Sequence, residues 1–331
     1  MSRYFVCGDI GGTKILLWLG QSIDGTTKVH LEHQYHSSNF TSFSEVLKDF
    51  LSRANGCAPV TACFAVAGPI AAQCSNLTNL PWQIDAVKIT EEFSIPNVKL
   101  INDFEAAALS IENLPEKDLE ILQAGNLQAQ SMKVVLGAGT GMGVAWLIWQ
   151  DNCYTPLSTE AGHVDFAPSN SLQDNFLEFQ REKYGHVSIE RILSGSGLAD
   201  TFNFLQTALN KNNQLIQTSI STNNAQMVTD LALNRKHPIA MKALNLFIEI
   251  YGAYAGNLAL TGLCHGGVYL AGGIAPKIID KLKEGNFVKS FCSKGRYSKM
   301  MKSFPIHVVM NPKIGVMGAM REIQRMESYR S

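Results

Sequence analysis

The chain has 331 residues, enough for two hydrophobic cores rather than one, so two lobes with a cleft between them are expected. Its 28 Lys+Arg balance 28 Asp+Glu, and a zero net charge leaves no global field to hold nucleic acid or an anionic membrane; a small neutral partner fits better. Seven cysteines, an odd number with no C-x-x-C pair, lack a recognisable zinc or redox motif and read as reduced cytosolic thiols.

The opening segment, "MSRYFVCGDIGGTK", reaches Asp9 before any apolar run long enough for a signal peptide, so no export is expected. Residues 5 to 19, "FVCGDIGGTKILLWL", predict strand, glycine turn, strand. In that turn, the backbone N–H groups of Gly11 and Gly12 and the hydroxyl of Thr13 could cradle phosphate beside Asp9, although a plain hairpin turn uses the same residues. Neither G-x-x-x-x-G-K-[ST] nor G-x-G-x-x-G occurs, which disfavours a nucleotide site of those two kinds. "TACFAVAGPI" (61 to 70) reads as a buried strand ended by Gly-Pro, and "NVKLIN" (97 to 102) as another, with helices between and after them.

"KLINDFEAAALS" then places Asp103 and Glu105 where a strand ends and an alanine-rich helix begins. Asn102 or Asp103 can serve as N-cap, a role that needs no function. The same helix N-terminus favours an ionised carboxylate, so Asp103 could also accept a proton from an alcohol. Glu105 lies in the first turn, where negative charge is favourable in any protein, and is assigned no chemistry.

Residues 134 to 149, "VVLGAGTGMGVAWLIW", repeat the strand, glycine turn, strand pattern and imply two related lobes. Gly139, Thr140 and Gly141 form a second candidate phosphate nest. If the lobes face each other, the two turns hold a polyphosphate chain between them, with Asp9 placed to position magnesium through water. "STEAGHVDFAP" offers Glu160 and His163, and "IERILSGSG" offers Glu190. Acids and imidazole suit sugar hydroxyls, which both donate and accept; each residue also reads as an ordinary surface or satisfied core polar group. No third ligand at a metal-site spacing accompanies them.

Helices are predicted over Ser188 to Leu193, Gly197 to Leu209 and Pro238 to Leu263. The uncharged run Ile250 to Pro276 is long enough to span a bilayer, but its seven glycines, Asn257 and His265 make it a buried helix, a turn and a strand. That strand ends in "LAGGI", where Gly272 and Gly273 either admit a flat base or ribose or make a tight strand-to-helix turn. "IGVMGAMREIQRMESYR" is a terminal helix whose Met and Ile stripe packs back on the first lobe.

Taken in order, "DIGGTK", "TNLPW" (78 to 82), "LINDFEA", "GAGTGMGVA", "EAGHVDFAP", "ERILSGSGL" and "GGVYLAGGI" resemble the bacterial glucokinases of the proteobacterial type, within the hexokinase, actin and Hsp70 ATPase superfamily. The resemblance implies an α/β fold of two RNase H-like (actin-like ATPase) lobes: a small domain of 1–110 plus 315–331 and a large one of 111–314. It further implies ATP, magnesium and glucose as ligands, a cytoplasmic homodimer, and no nucleic-acid or membrane partner. Asp103 resembles the general base that takes the proton from the glucose 6-hydroxyl. Asn102, Glu160, His163 and Glu190 match the positions that bind the other hydroxyls. The turns at Gly11, Gly12 and Gly139 to Gly141 match the phosphate sites, and Gly272 and Gly273 border the adenosine.

Lys14 and Leu16 stand where that family commonly has Asn and Arg, and "GGTK" is usual in the related repressor, open reading frame and kinase (ROK) family. The ROK cysteine-rich zinc motif is absent, which favours the first assignment. "EAGH" replaces a frequent "EGGH" and requires a negative φ at Ala161. Other readings are a kinase for another hexose or an N-acetylhexosamine, a sugar-sensing regulator without turnover, and an actin-like or chaperone ATPase. The absence of a basic helix-turn-helix ahead of residue 4 argues against a DNA-binding sensor, and the sugar-type polar set argues against the ATPase.

Overall fold

Short β-branched and aromatic runs punctuated by glycine build the first sheet. In the computed structural model, which describes residues 3–23, 26–77, 80–211, 222 and 224–328, β1 (Arg3–Ile10), β2 (Lys14–Ile23) and β3 (Thr26–His36) form an antiparallel meander. The small hairpin β5 (Cys74–Asn76) and β6 (Gln83–Asp85) interrupts the next stretch, while β4 (Pro59–Val66) and β7 (Asn97–Asn102) join β1 in parallel, giving the order β3-β2-β1-β4-β7. On one face, α1 (Phe43–Ser52) and α2 (Ala86–Phe93) bury Phe43, Val46, Leu47, Phe50 and Ile89. Ser42 caps α1 by accepting from the Glu45 N–H at 3.3 Å, and Glu45 reaches back to accept from the Thr41 N–H at 2.8 Å.

The other face is covered by α3 (Asp103–Ser110) and α11 (Ile314–Ser328), so the terminal helix does pack on the first sheet, with Val316, Ala319 and Ile323 against Phe5, Cys7 and Cys63. Lys99 on β7 reaches Glu322 on α11 at 2.6 Å, and Arg325 is its second partner at 3.6 Å. The two helices cross so closely that a Cβ on Gly318 would run into the Ala106 carbonyl oxygen. Gly318→Ala is therefore expected to cost about 1–3 kcal/mol through overpacking, read as a lower melting temperature; an unchanged melting temperature would show that the crossing can relax.

The second sheet repeats the first. Strands β9 (Lys133–Ala138), β10 (Met142–Gln150) and β11 (Cys153–Thr159) form the meander, β12 (Val268–Ala271) and β13 (Ile306–Val309) add in parallel, and β8 (Leu119–Gln123) extends the sheet antiparallel to β13. The resulting order β11-β10-β9-β12-β13 is that of β3-β2-β1-β4-β7, with β8 appended. Around it lie α4 (Ser171–Tyr184), α5 (Gly195–Lys211), α6 (Ala225–Leu233), α7 (Pro238–Gly262), α8 (Ile279–Lys283), α9 (Asn286–Cys292) and α10 (Ser298–Met301). Pro238 occupies the first helical position of α7, where its missing N–H costs nothing, and Leu263 closes the helix in the left-handed region at φ 46°. The uncharged run beyond Ile250 becomes the end of α7, a turn and β12, and no helix among the described residues is long and apolar enough to cross a membrane.

The chain divides into two compact units, Met1–Leu114 with Asn311–Ser331, and Pro115–Met310. One helix expected from the sequence is absent: over Ser188 to Leu193 only a 3-10 turn, Ile189–Arg191, forms. The backbone is drawn into an extended pairing instead, with the Phe166 N–H donating to Val187 (3.0 Å) and the Ile189 N–H to Val164 (2.8 Å). Thr78 and Asn79 of "TNLPW", and Tyr329 and Arg330 at the end of the terminal segment, lie outside the described residues. All seven cysteines are unpaired.

Candidate active site

In the first unit, Ile10, Val66 and Asn102 are in register at the carboxyl ends of the parallel strands β1, β4 and β7. That alignment delivers the Gly11–Thr13 turn and the Asn102–Asp103 pair to one edge of the sheet. The turn is closed by the Gly11 N–H donating to the Lys14 carbonyl at 3.0 Å. Ser37 holds it from outside: its hydroxyl donates to Gly12 (2.8 Å) and its N–H to Thr13 (3.1 Å).

Asp9, on β1, is half-buried, and burial pushes its carboxyl up to about 6. Its cross-strand neighbour is Leu16, so an apolar side chain lies where a cation would have compensated it, and Lys14 is exposed at the start of β2. Gly315 packs so tightly on the carboxylate that a Cβ there would strike it. This start of α11 is held in place by Glu32, which accepts from Lys313 Nζ (2.7 Å) and from Trp18 Nε1 (2.8 Å). Among the described residues no side-chain cation pairs with Asp9. A desolvated carboxylate with no such partner is chemically suited to a hydrated magnesium ion.

The ambiguity at the start of α3 resolves in favour of Asn102 as the cap. Its Oδ1 accepts from the Phe104 N–H (2.9 Å) and the Glu105 N–H (3.4 Å), while Nδ2 donates to the Gly68 carbonyl at 3.2 Å. Asp103 is the first helical residue, and its Oδ1 also accepts from the Phe104 N–H at 2.9 Å. The half-buried carboxylate thus sits at the positive end of α3 without having to serve as its cap.

In the second unit, the glycine turns after β9 and β12 lie side by side. The Ile274 N–H donates to the Ala138 carbonyl at 3.2 Å, and Gly272, at φ 78°, lies so close to that oxygen that a Cβ would approach it to 2.7 Å. Only glycine meets both demands at Gly272. A Cβ on Gly139 or Gly273 meets nothing within 4 Å, so these two positions face open space. The Gly139–Gly141 turn is braced from within by Gly139 N–H to Gly141 (2.8 Å), and from outside by Gly195 N–H to Gly139 (2.9 Å).

Glu160 precedes the 3-10 turn Ala161–His163 and His163 ends it; both are exposed, with His163 Nε2 and Glu160 Oε2 3.8 Å apart. Tyr254 of α7 anchors this turn by donating to the Ala161 carbonyl at 2.6 Å. Ala161 is not among the positive-φ residues, which accounts for alanine in "EAGH". Gly162 is irreplaceable on steric grounds, because a Cβ would enter the Met142 carbonyl oxygen. Glu190 behaves differently from a simple surface acid: its Oε2 accepts from the Met142 N–H at 2.9 Å. The roles of Tyr254, Gly162 and Gly315 escaped the sequence reading; glycines inside otherwise helix-compatible segments were the available signal for the last two. No group of three or more His, Cys, Asp or Glu suited to a metal occurs among the described residues.

A duplicated sheet with a glycine turn after the first strand of each copy defines an α/β protein of the actin-like ATPase fold, in its sugar-kinase branch. A family model described as Glucokinase matches residues 6–326. A glucokinase of Nostoc punctiforme is 37% identical over 331 aligned residues, covering 95% of this chain and 97% of that protein. The crystal structure of a glucokinase from an Antarctic psychrotroph superposes with a TM-score of 0.85 at 30% identity, covering 98% of this chain and 99% of that one. A ROK family glucokinase from Streptomyces griseus, solved in complex with glucose and AMPPNP, shares the fold at a TM-score of 0.62 and 18% identity, over 98% of this chain and 99% of that one. The chain belongs to the glucokinase family.

Proposed function

We infer that the protein transfers the γ-phosphoryl group of ATP to the 6-hydroxyl of glucose, giving glucose 6-phosphate. Family membership over nearly the whole chain supports the reaction. The observation that carries its chemistry is Asp103 at the N-terminus of α3, where the helix end favours a negative charge, while Asn102 does the capping. Asp103 takes the proton from the 6-hydroxyl as that oxygen attacks phosphorus, and Asn102, Glu160, His163 and Glu190 bind the remaining hydroxyls. The phosphates lie on the Gly11–Thr13 and Gly139–Gly141 turns, and the adenosine lies along Gly272 and Gly273, with open space at Gly273. Asp9 holds magnesium through water. When bound, that ion supplies charge neutralisation at the β- and γ-phosphate oxygens.

A cytoplasmic homodimer belongs to the same reading. Exposed Val164 borders a cavity of about 270 Å³ lined also by Trp146, Tyr254 and Leu258, an apolar surface suited to a second copy. Sedimentation velocity tests it: a monomer at micromolar concentration removes the dimer from the proposal. Sugar selectivity is read by ranking kcat/KM across glucose, mannose, fructose and N-acetylglucosamine with Mg-ATP. Glucose is expected first; a preference for N-acetylglucosamine would replace the assignment.

A further inference from the structure

We propose that Glu190 is a positioning residue for the second phosphate turn, so that one carboxylate links sugar binding to the geometry of that turn. The inference rests on the kinase reading above and adds a role which sugar contact alone would not give. Glu190 Oε2 accepts the Met142 N–H at 2.9 Å, and Met142 directly follows Gly141. The carboxylate lies against Gly141 itself, since a Cβ at that position would meet Oε2. Oε1 makes no hydrogen bond among the described residues, which leaves it for a sugar hydroxyl.

The backbone of Met142 is held from a second side as well. Gly162, between Glu160 and His163, packs its Cα against the Met142 carbonyl oxygen. Five residues beyond Glu190, Gly195 donates to the Gly139 carbonyl at 2.9 Å, so the segment 190–195 holds the turn at both ends. Met142 is buried, and an amide there without its acceptor would carry the cost of an unmade hydrogen bond. Sugar seated on Oε1 therefore fixes the carboxylate that fixes the turn, and nucleotide phosphates meet a turn already set.

Calorimetric titration of AMPPNP with magnesium, without sugar and then with saturating glucose, tests this on the full chain. Glu190→Ala should weaken sugar-free AMPPNP binding by about tenfold or more, the size of one lost hydrogen bond to a charged group. Glu190→Gln, whose carbonyl can still accept the Met142 N–H, should keep sugar-free AMPPNP affinity within about twofold while losing glucose affinity. Its melting temperature also serves as the check on folding. Parental sugar-free AMPPNP affinity in a folded Glu190→Ala would confine Glu190 to sugar contact and overturn the proposal. Equal loss in both variants would do the same, because the Gln carbonyl should rescue. Failure of the parent protein to bind AMPPNP would instead take down the kinase reading, and this inference with it.

Discussion

Asp103→Asn is expected to lower kcat by about 10²–10⁴-fold, the usual contribution of a positioned general base, while glucose affinity stays within a few-fold of the parent. The substitution keeps the size of the side chain and an oxygen that can accept the Phe104 N–H, now 2.9 Å from Oδ1. Asn102 still caps α3, so the helix start does not depend on the altered residue. Losing the charge in the first turn costs about 0.3–1 kcal/mol of helix-end interaction, too little to unfold the protein. Calorimetric glucose binding beside steady-state kinetics separates the outcomes. Unchanged kcat removes Asp103 from the proton transfer, and loss of glucose binding assigns it to recognition instead.

Asp9→Asn should move activity and stability in opposite directions. The Asp9 carboxyl stands at about 6 in the folded chain, raised by burial from 3.8. Below the unfolded value it is protonated in both states and costs nothing. As pH rises through 6, the folded chain must ionise a buried group that the unfolded chain ionised earlier, so stability is lost. At neutral pH this penalty amounts to up to about 3 kcal/mol. Asparagine never ionises and avoids it.

Without nucleotide or metal, Asp9→Asn is therefore expected to melt several degrees above the parent at pH 7.5, with the difference shrinking towards pH 4. Turnover should fall by about 10²–10³-fold through loss of the magnesium contact. A variant that melts at or below the parent at pH 7.5 would contradict the buried, uncompensated carboxylate. Full activity would contradict its metal role.

Much of this architecture was legible because short apolar runs ending in glycine have few alternatives. "NVKLIN" became β7 without a residue's change in bounds, and both strand-turn-strand segments formed as the pattern required. Strand β3 gave no such signal: only Tyr35 is buried among its eleven residues, and its place is set by pairing with β2 rather than by an apolar run. Segment 188–193 has helical composition, but its Ile189 N–H is drawn to the Val164 carbonyl while the preceding Val187 carbonyl accepts from Phe166, a tertiary choice that local propensity cannot reveal.

Site residues followed the same division. Asn102 and Asp103 could be named from their place at a strand-to-helix junction, yet which of them caps was decided by the Gly68 carbonyl that fixes the Asn102 amide. Glu190 was visible as an acid before a glycine turn, but its bond to Met142 joins residues 48 positions apart. The raised Asp9 carboxyl likewise depends on Leu16 across the hairpin and on Gly315 from the far end of the chain.

Product formation by the purified protein with Mg-ATP and glucose decides whether phosphoryl transfer to the sugar occurs, with glucose 6-phosphate read by a coupled dehydrogenase and ADP read separately. Equal amounts of the two products are predicted, both falling together in Asp103→Asn. ADP release without glucose 6-phosphate, or no turnover in a parent protein that binds glucose, would rule out glucose phosphorylation by this protein.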